Sequence, residues 1–392
     1  MKRGQLDSHI LVLVTLGLTA FGLVMVYSAT SAPAAIGVAL LIVASRVDYR
    51  ALRYVAPFMM LASFGLCLVV LVLGEQVNGA RRWLGIGPLA FQPSELAKLS
   101  LAIWASAYLA RHRAPQSLKE LVRPIGLTTG LFAVLILLEP DLGTVIAIGI
   151  VLAAILVVSG VPLRVLAAGG SIAIALGLAA IWFEPYRRAR LFSFLNPWHD
   201  AQGAGFQTIQ GIIGFGSGGI LGTGIGRGVA KVNYLPEAHT DMIFAVIGEE
   251  LGLIGSTFVI AAFAALALVG FRIALRCPDR FGKLLAAGIT ALVCGQAAIN
   301  LAATLGIAPL TGIPLPFVSY GGSSLVVLLA AVGVLLNIAV NDRVVSSSVR
   351  DSGRRDGRSR AAGTRRRRST ARAGSGGDVR RVARPRRVAA RS

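Results

Sequence analysis

Gly143–Ser159 reads GTVIAIGIVLAAILVVS, seventeen residues with no charge and no alternation of apolar and polar positions. Coiled as a helix at about 1.5 Å per residue, such a run covers most of the ~30 Å hydrocarbon layer of a bilayer. A membrane-barrel strand would instead alternate lipid-facing and lumen-facing residues. Comparable runs recur at Ile10–Tyr27, Pro33–Ala44, Val55–Leu73, Glu95–Leu109, Ile125–Leu138, Leu163–Trp182, Met242–Phe271, Leu284–Leu305 and Ser323–Ala339. Backbone in lipid must satisfy its own hydrogen bonds, so these ten runs predict an all-α polytopic membrane protein of about ten transmembrane helices.

Composition agrees. The 392 residues are 55% hydrophobic and 15% charged, with a mean hydropathy of +0.72, which excludes a water-soluble globular protein. A formal charge of +21 invites a nucleic-acid reading until it is located. From Arg343 to Ser392 seventeen Arg stand against three Asp, so fourteen of the charges belong to the tail and +7 to the rest. The expected division is a membrane domain over 1–342 and a disordered, Arg-rich cytoplasmic tail over 343–392. No aromatic residue is interleaved with Arg365–Arg368 or Arg384–Arg387. The expected partner of the tail is therefore anionic lipid, with no nucleic acid. Cys67 and Cys294 fall in apolar runs and Cys277 in a basic loop, a pattern that indicates neither a disulfide framework nor a metal cluster.

Orientation follows from where the cations lie. With the N-terminus in the cytoplasm, fourteen Lys and Arg fall on that side, among them Arg46, Arg50, Arg53, Arg111, Arg113, Arg164 and Arg272; seven fall outside. An even number of spans also brings the tail to the cytoplasm. Pro33–Ala44 is short for a span, about 18 Å of helix, yet without it every later loop would flip and the bias would reverse. The expectation is a shortened or tilted helix there.

Two features remain. The segment from about 183 to 241, between the seventh and eighth helices, is predicted to be a large external loop. Its many glycines, Gly203 to Gly228, permit close backbone approach to a ligand or a neighbouring helix, but no phosphate-loop motif is present. The second feature is a set of polar and charged groups at membrane depth, each costly there and so a candidate for function. Glu95 and Lys98 lie i, i+3 after Pro93, an internal ion pair or a functional one. Asp141, in Glu139-Pro140-Asp141-Leu142-Gly143-Thr144, reads as a helix cap as readily as a ligand contact. Arg187, Arg188 and Arg190 stand against the orientation bias, and a diphosphate at the interface would suit them. Asp241 enters the eighth helix after Tyr234–Thr240, where the helix dipole favours an ionised carboxylate able to take a proton from a hydroxyl; His239 beside it serves packing or function.

These residues resemble a known family. Arg82-Trp83-Leu84 with Gln92-Pro93-Ser94-Glu95, Glu139 to Thr144, Asn196-Pro197-Trp198, Tyr234 to Asp241, Gly248-Glu249-Glu250-Leu251-Gly252 and Pro314 to Ser324 are similar to motifs of the SEDS proteins (shape, elongation, division and sporulation), over about residues 10–342. Leu235 to Asp241 with Gly248-Glu249-Glu250 look more like the division branch than the elongation branch. The run from Ser28 to Ala44 departs from the family by being short.

The resemblance implies a peptidoglycan glycosyltransferase that polymerises lipid II, releasing undecaprenyl diphosphate, at the outer face of the cytoplasmic membrane. The implied partners are lipid II, undecaprenyl-diphosphate-linked glycan, a class B penicillin-binding protein and other divisome proteins. Asp241 matches the family's catalytic carboxylate. Substrate contacts are expected from Arg82, Trp83, Ser94, Glu95, Lys98, Asp141, Arg187, Arg188, Arg190, His239 and Ser319. No protein-held metal is expected, although a divalent cation, Mg or Mn, is compatible with a diphosphate leaving group. An elongation polymerase and a lipid II flippase are the alternatives. The flippase is less well served, because the cytoplasmic halves of the spans lack polar groups.

Overall fold

The computed structural model describes residues 3–26, 31–77, 80–86, 89–203, 205–229 and 238–341. The chain up to Asp342 forms one contact unit, and the Arg-rich tail expected from Arg343 onward lies outside the described residues.

Helices α1 (Arg3–Val26), α2 (Ser31–Arg46) and α3 (Leu52–Leu73) lead to a small antiparallel sheet, β1 (Glu75–Val77), β2 (Ala80–Ile86) and β3 (Leu89–Phe91). The strands lie in the order β1-β2-β3, with Glu75 opposite Trp83 and Leu84 opposite Phe91. Then come α4 (Pro93–Arg111), the single turn α5 (Leu118–Leu121), α6 (Leu127–Leu138), α7 (Leu142–Ser159), α8 (Leu163–Trp182), α9 (Pro185–Leu195), α10 (Phe206–Gly218), α11 (Ile243–Arg276), α12 (Arg280–Thr304) and α13 (Gly322–Asn341).

Among the described residues, eight helical segments are long and apolar enough to cross a membrane. The two further expected spans are also helices: α2, with a shorter apolar stretch Ala32–Arg46, and α4, whose hydropathy is lowered by Glu95, Lys98 and Arg111. Most side chains of α4 are nevertheless buried, because it packs between α3, α7 and α12. The three-stranded sheet is an addition to the expected all-α fold. β1 and β3 are too short for a period of two to show in the sequence, and Ala80–Ile86, ARRWLGI, does not alternate.

Local chemistry sets the helix ends. Asp141 caps α7, its Oδ1 accepting from Thr144 N at 2.9 Å and its Oδ2 from the Thr144 hydroxyl at 2.8 Å. Gly160 closes the same helix in the left-handed region at φ 88°. The centre of the bundle is α12 and α13, with 72% and 78% of their spanning windows buried, against 6% for the peripheral α8.

Helix α11 is broken at Gly252 (φ 65°, ψ −158°). The Gly-rich segment after α10 fills the break: Thr223 N and Gly224 N donate to the carbonyls of Glu249 and Glu250 at 2.9 and 3.0 Å, and Leu253 N donates to Gly219 O at 3.0 Å. Backbone groups orphaned by the break are thereby satisfied within the protein. A Cβ on Gly218 would lie 2.0 Å from Gly248 O and one on Gly222 2.2 Å from Glu250 O. Close approach to a neighbouring helix is thus what these glycines provide.

Candidate active site

The ends of α3, α6, α8 and α12 and the starts of α4, α7, α11 and α13 meet at one end of the bundle, and side chain to backbone bonds sew them together. Arg82 on β2 donates through Nε to Glu139 O at 2.7 Å and through Nη2 to Pro140 O. Gln92 Nε2 reaches Asp141 Oδ2 at 3.2 Å. Arg187 on α9 donates to Leu137 O at 2.9 Å and Ala180 O at 3.1 Å, a cation on the closing carbonyls of α6 and α8. Arg190 donates to Leu310 O at 3.2 Å and lies 5.0 Å over the Tyr186 ring.

These segments enclose a cavity of about 530 Å³, lined by Arg82, Trp83, Arg187, Arg190 and Asp241 together with Glu75. The volume suits a small-molecule site or the headgroup of a larger substrate. Residues far apart in sequence thus share one chamber, lined by three arginines and two acidic residues. Two parallel donors on a planar, permanently charged group suit phosphate oxygens.

Asp241 is 8% exposed and sits in the turn before Met242, the N-cap of α11, which makes no side-chain cap bond. Its Oδ1 is 3.4 Å from both Gln207 Nε2 and the Thr240 hydroxyl, and its backbone carbonyl accepts from Asn300 Nδ2 at 2.7 Å. The carboxylate therefore stands at a helix entrance on the cavity wall.

Glu139, two residues before Asp141, turns the other way. It is fully buried, with the Cys67 thiol beside it. Burial first, then the neighbouring Asp141 charge, pushes its carboxyl up to about 8.

Several expected contacts do not line the cavity. Glu95 and Lys98 form an ion pair of 2.8 Å at 3% and 1% exposure, inside α4, and Ser94 beside them is fully buried. Each charge offsets part of the other's burial cost. Asp141 is engaged as the α7 cap. Arg188 lies with its guanidinium 5.9 Å over Trp182. His239 adjoins the site through its carbonyl, which accepts from Tyr320 N at 2.7 Å, and the Ser319 hydroxyl accepts from Leu315 N at 2.7 Å, a turn-closing role. Tyr234 to Glu237 lie outside the described residues.

Sequence reasoning passed over Asn300, Thr240 and the Pro309–Gly312 segment of the wall. Asn300 had a signal, an amide within the apolar run Leu284–Leu305. Thr240 and Pro309–Gly312 had none beyond lying at span ends.

Among the described residues no three His, Cys, Asp or Glu side chains gather to hold a metal ion, and the cavity's two carboxylates are outnumbered by guanidiniums. This donor set does not fit a resident divalent cation.

Fold and cavity together define a polytopic helical membrane protein with a cationic, carboxylate-bearing chamber at one end of its bundle. The chain belongs to the cell cycle protein family of FtsW, RodA and SpoVE, whose model matches residues 8–344. It is 39% identical over 351 residues to the "probable peptidoglycan glycosyltransferase FtsW" of Geobacter sulfurreducens, covering 84% of this chain and 94% of that one. It is 37% identical over 353 residues to stage V sporulation protein E of Bacillus subtilis, covering 84% and 96%. Among solved structures, a chain from a peptidoglycan synthase complex that coordinates polymerization and crosslinking superposes with a TM-score of 0.73 at 32% identity, over 85% of this chain and 97% of that one. The rod shape determining protein RodA of Thermus thermophilus gives 0.64 at 29% identity, over 85% and 96%.

Proposed function

We propose that this chain is a peptidoglycan glycosyltransferase that polymerises lipid II at the outer face of the cytoplasmic membrane during septal wall synthesis, with Asp241 as general base. The observation that carries the reading is a cavity lined by Asp241 together with Arg82, Arg187 and Arg190. Asp241 takes the proton from the incoming sugar hydroxyl as that oxygen bonds to the anomeric carbon. The bond from that carbon to the diphosphate breaks, and undecaprenyl diphosphate departs with the electron pair, its charge met by the guanidiniums. The proton left on Asp241 returns to solvent before the next cycle. A Mg or Mn ion would enter on the diphosphate rather than on a protein ligand set, and no step above requires it.

Relatives named FtsW support the division role, and the likeness to a chain of a peptidoglycan synthase complex supports a class B penicillin-binding protein as partner. The orientation bias of the cations supports an outward-facing site with both termini in the cytoplasm. Anionic lipid is the proposed partner of the tail, and other divisome proteins complete the set.

The test is glycan polymerisation from purified lipid II in detergent. Asp241→Asn is expected to abolish polymer while preserving a monodisperse protein that still binds its partner. Full activity in that variant sinks the assignment; transport of labelled lipid II across proteoliposomes without polymer would favour the flippase.

A further inference from the structure

We infer that Asn300 is a positioning residue for the reaction, a single amide that holds the Asp241 turn and the opposing wall of the cavity in register. The inference rests on the reading of Asp241 as general base.

Asn300 is 2% exposed, one turn from the end of α12 at the core of the bundle. Both hydrogens of its Nδ2 are used, one on Asp241 O at 2.7 Å and one on Ile313 O at 2.8 Å. Two carbonyl acceptors on one nitrogen fix which end of the amide carries the donors, since the reverse orientation would set three oxygens against one another. The planar NH₂ group fixes the angle between the two strands of chain as well as their separation.

Each held segment reaches the cavity. Asp241 carries the carboxylate, and Met242, the N-cap of α11 that follows it, makes no side-chain cap bond. Ile313 follows Pro309–Gly312, which form the wall on which Arg190 anchors at Leu310 O. Asn300 is therefore tied to both the proton-accepting wall and a cation-bearing wall, and α12 gives it a rigid base. A second tie, Tyr320 N to His239 O at 2.7 Å, joins the same two segments further along but leaves the Asp241 carbonyl untouched. Asn300 neither lines the cavity nor meets substrate; it acts through Asp241.

The experiment is polymerisation by the full chain in detergent with lipid II, turnover being expressed per lipid II-binding site titrated in the same preparation. Asn300→Leu, similar in volume without donors, is expected to lower kcat about 10- to 100-fold, the scale of an ångström's misplacement of a reacting group. KM should stay within about threefold, because the guanidiniums that bind substrate are unchanged. Damage that merely unfolds molecules would lower the number of binding sites and leave turnover per site intact. Asn300→Asp, the same shape with at most one donor, sets an oxygen toward the two carbonyls and should show a fall in the same direction; it serves where Asn300→Leu yields no folded protein. Unchanged kcat per site in the variant measured, or a rise in KM alone, overturns the inference while an inactive Asp241→Asn leaves the base in place. Turnover by Asp241→Asn overturns the underlying reading instead.

Discussion

Glu139 and Asp141 are two residues apart and meet opposite fates. Asp141 accepts three hydrogen bonds and caps α7, whereas Glu139 is sealed under the same turn beside the Cys67 thiol. Its carboxyl is held up to about 8 against an ordinary 4.5. A raised carboxyl contributes its stability fully below the ordinary value and loses it as pH climbs to the folded value. The wild-type protein should therefore lose stability between about pH 4.5 and pH 8 that Glu139→Gln, with no proton to lose, retains. Melting in detergent should show the gap in favour of Glu139→Gln widening across that window, by a few kcal/mol at most. Parallel melting profiles would show that Glu139 is not the source. Among the arginines, the geometry separates neighbours. Arg190→Gln should raise KM for lipid II about tenfold, the scale of a lost charge-assisted hydrogen bond, while Arg188→Gln leaves it unchanged. Equal effects of the two would contradict the cavity lining. The sequence places all three arginines in one cluster and cannot rank them, because which faces of α9 point inward depends on α6 and α8. The place of Asp241 on the cavity wall was open to a sequence reading because a carboxylate at a span entrance is costly and serves either as a cap or in function; Asn300 was not, because an amide in an apolar helix reads equally well as a packing contact.

Elements were legible in proportion to how strongly the bilayer constrains them. The apolar runs map onto helices throughout, and even the short second one forms α2, Ser31–Arg46. What the hydropathy run conceals is the break in α11, since the run on both sides of Gly252 stays apolar enough on average to span a membrane, and the Gly-rich segment packed across it fits the break. That packing leads to a test. Gly222 stands at φ 79° with no room for a Cβ against Glu250 O, so Gly222→Ala should cost well over the ~1 kcal/mol by which ordinary helical Gly and Ala differ, and should lower Tm by several degrees. Gly216, inside α10 with nothing within 4 Å, is the control: Gly216→Ala should hold or slightly raise Tm. Equal losses would mean that the close contacts at the break are not what stabilises it.

At the scale of the molecule, the site occupies one end of the bundle and the proposal needs that end outside the cell. The other end carries Arg113, exposed beyond α4, and the site end carries Gln202, exposed between α9 and α10. Native Cys67 and Cys277 are buried and Cys294 is only half-buried, so background labelling of intact cells should be low. Gln202→Cys should react with a membrane-impermeant maleimide in whole cells, and Arg113→Cys only after the membrane is opened. The opposite pattern would place the chamber in the cytoplasm and remove the polymerase reading, because lipid II arriving at an outer face would never meet Asp241. Labelling of both in intact cells would mean that α6, α7 and α8 do not cross as three spans. Orientation thus rests on charges counted in loops, whereas the chamber rests on contacts between elements, and this one measurement connects the two.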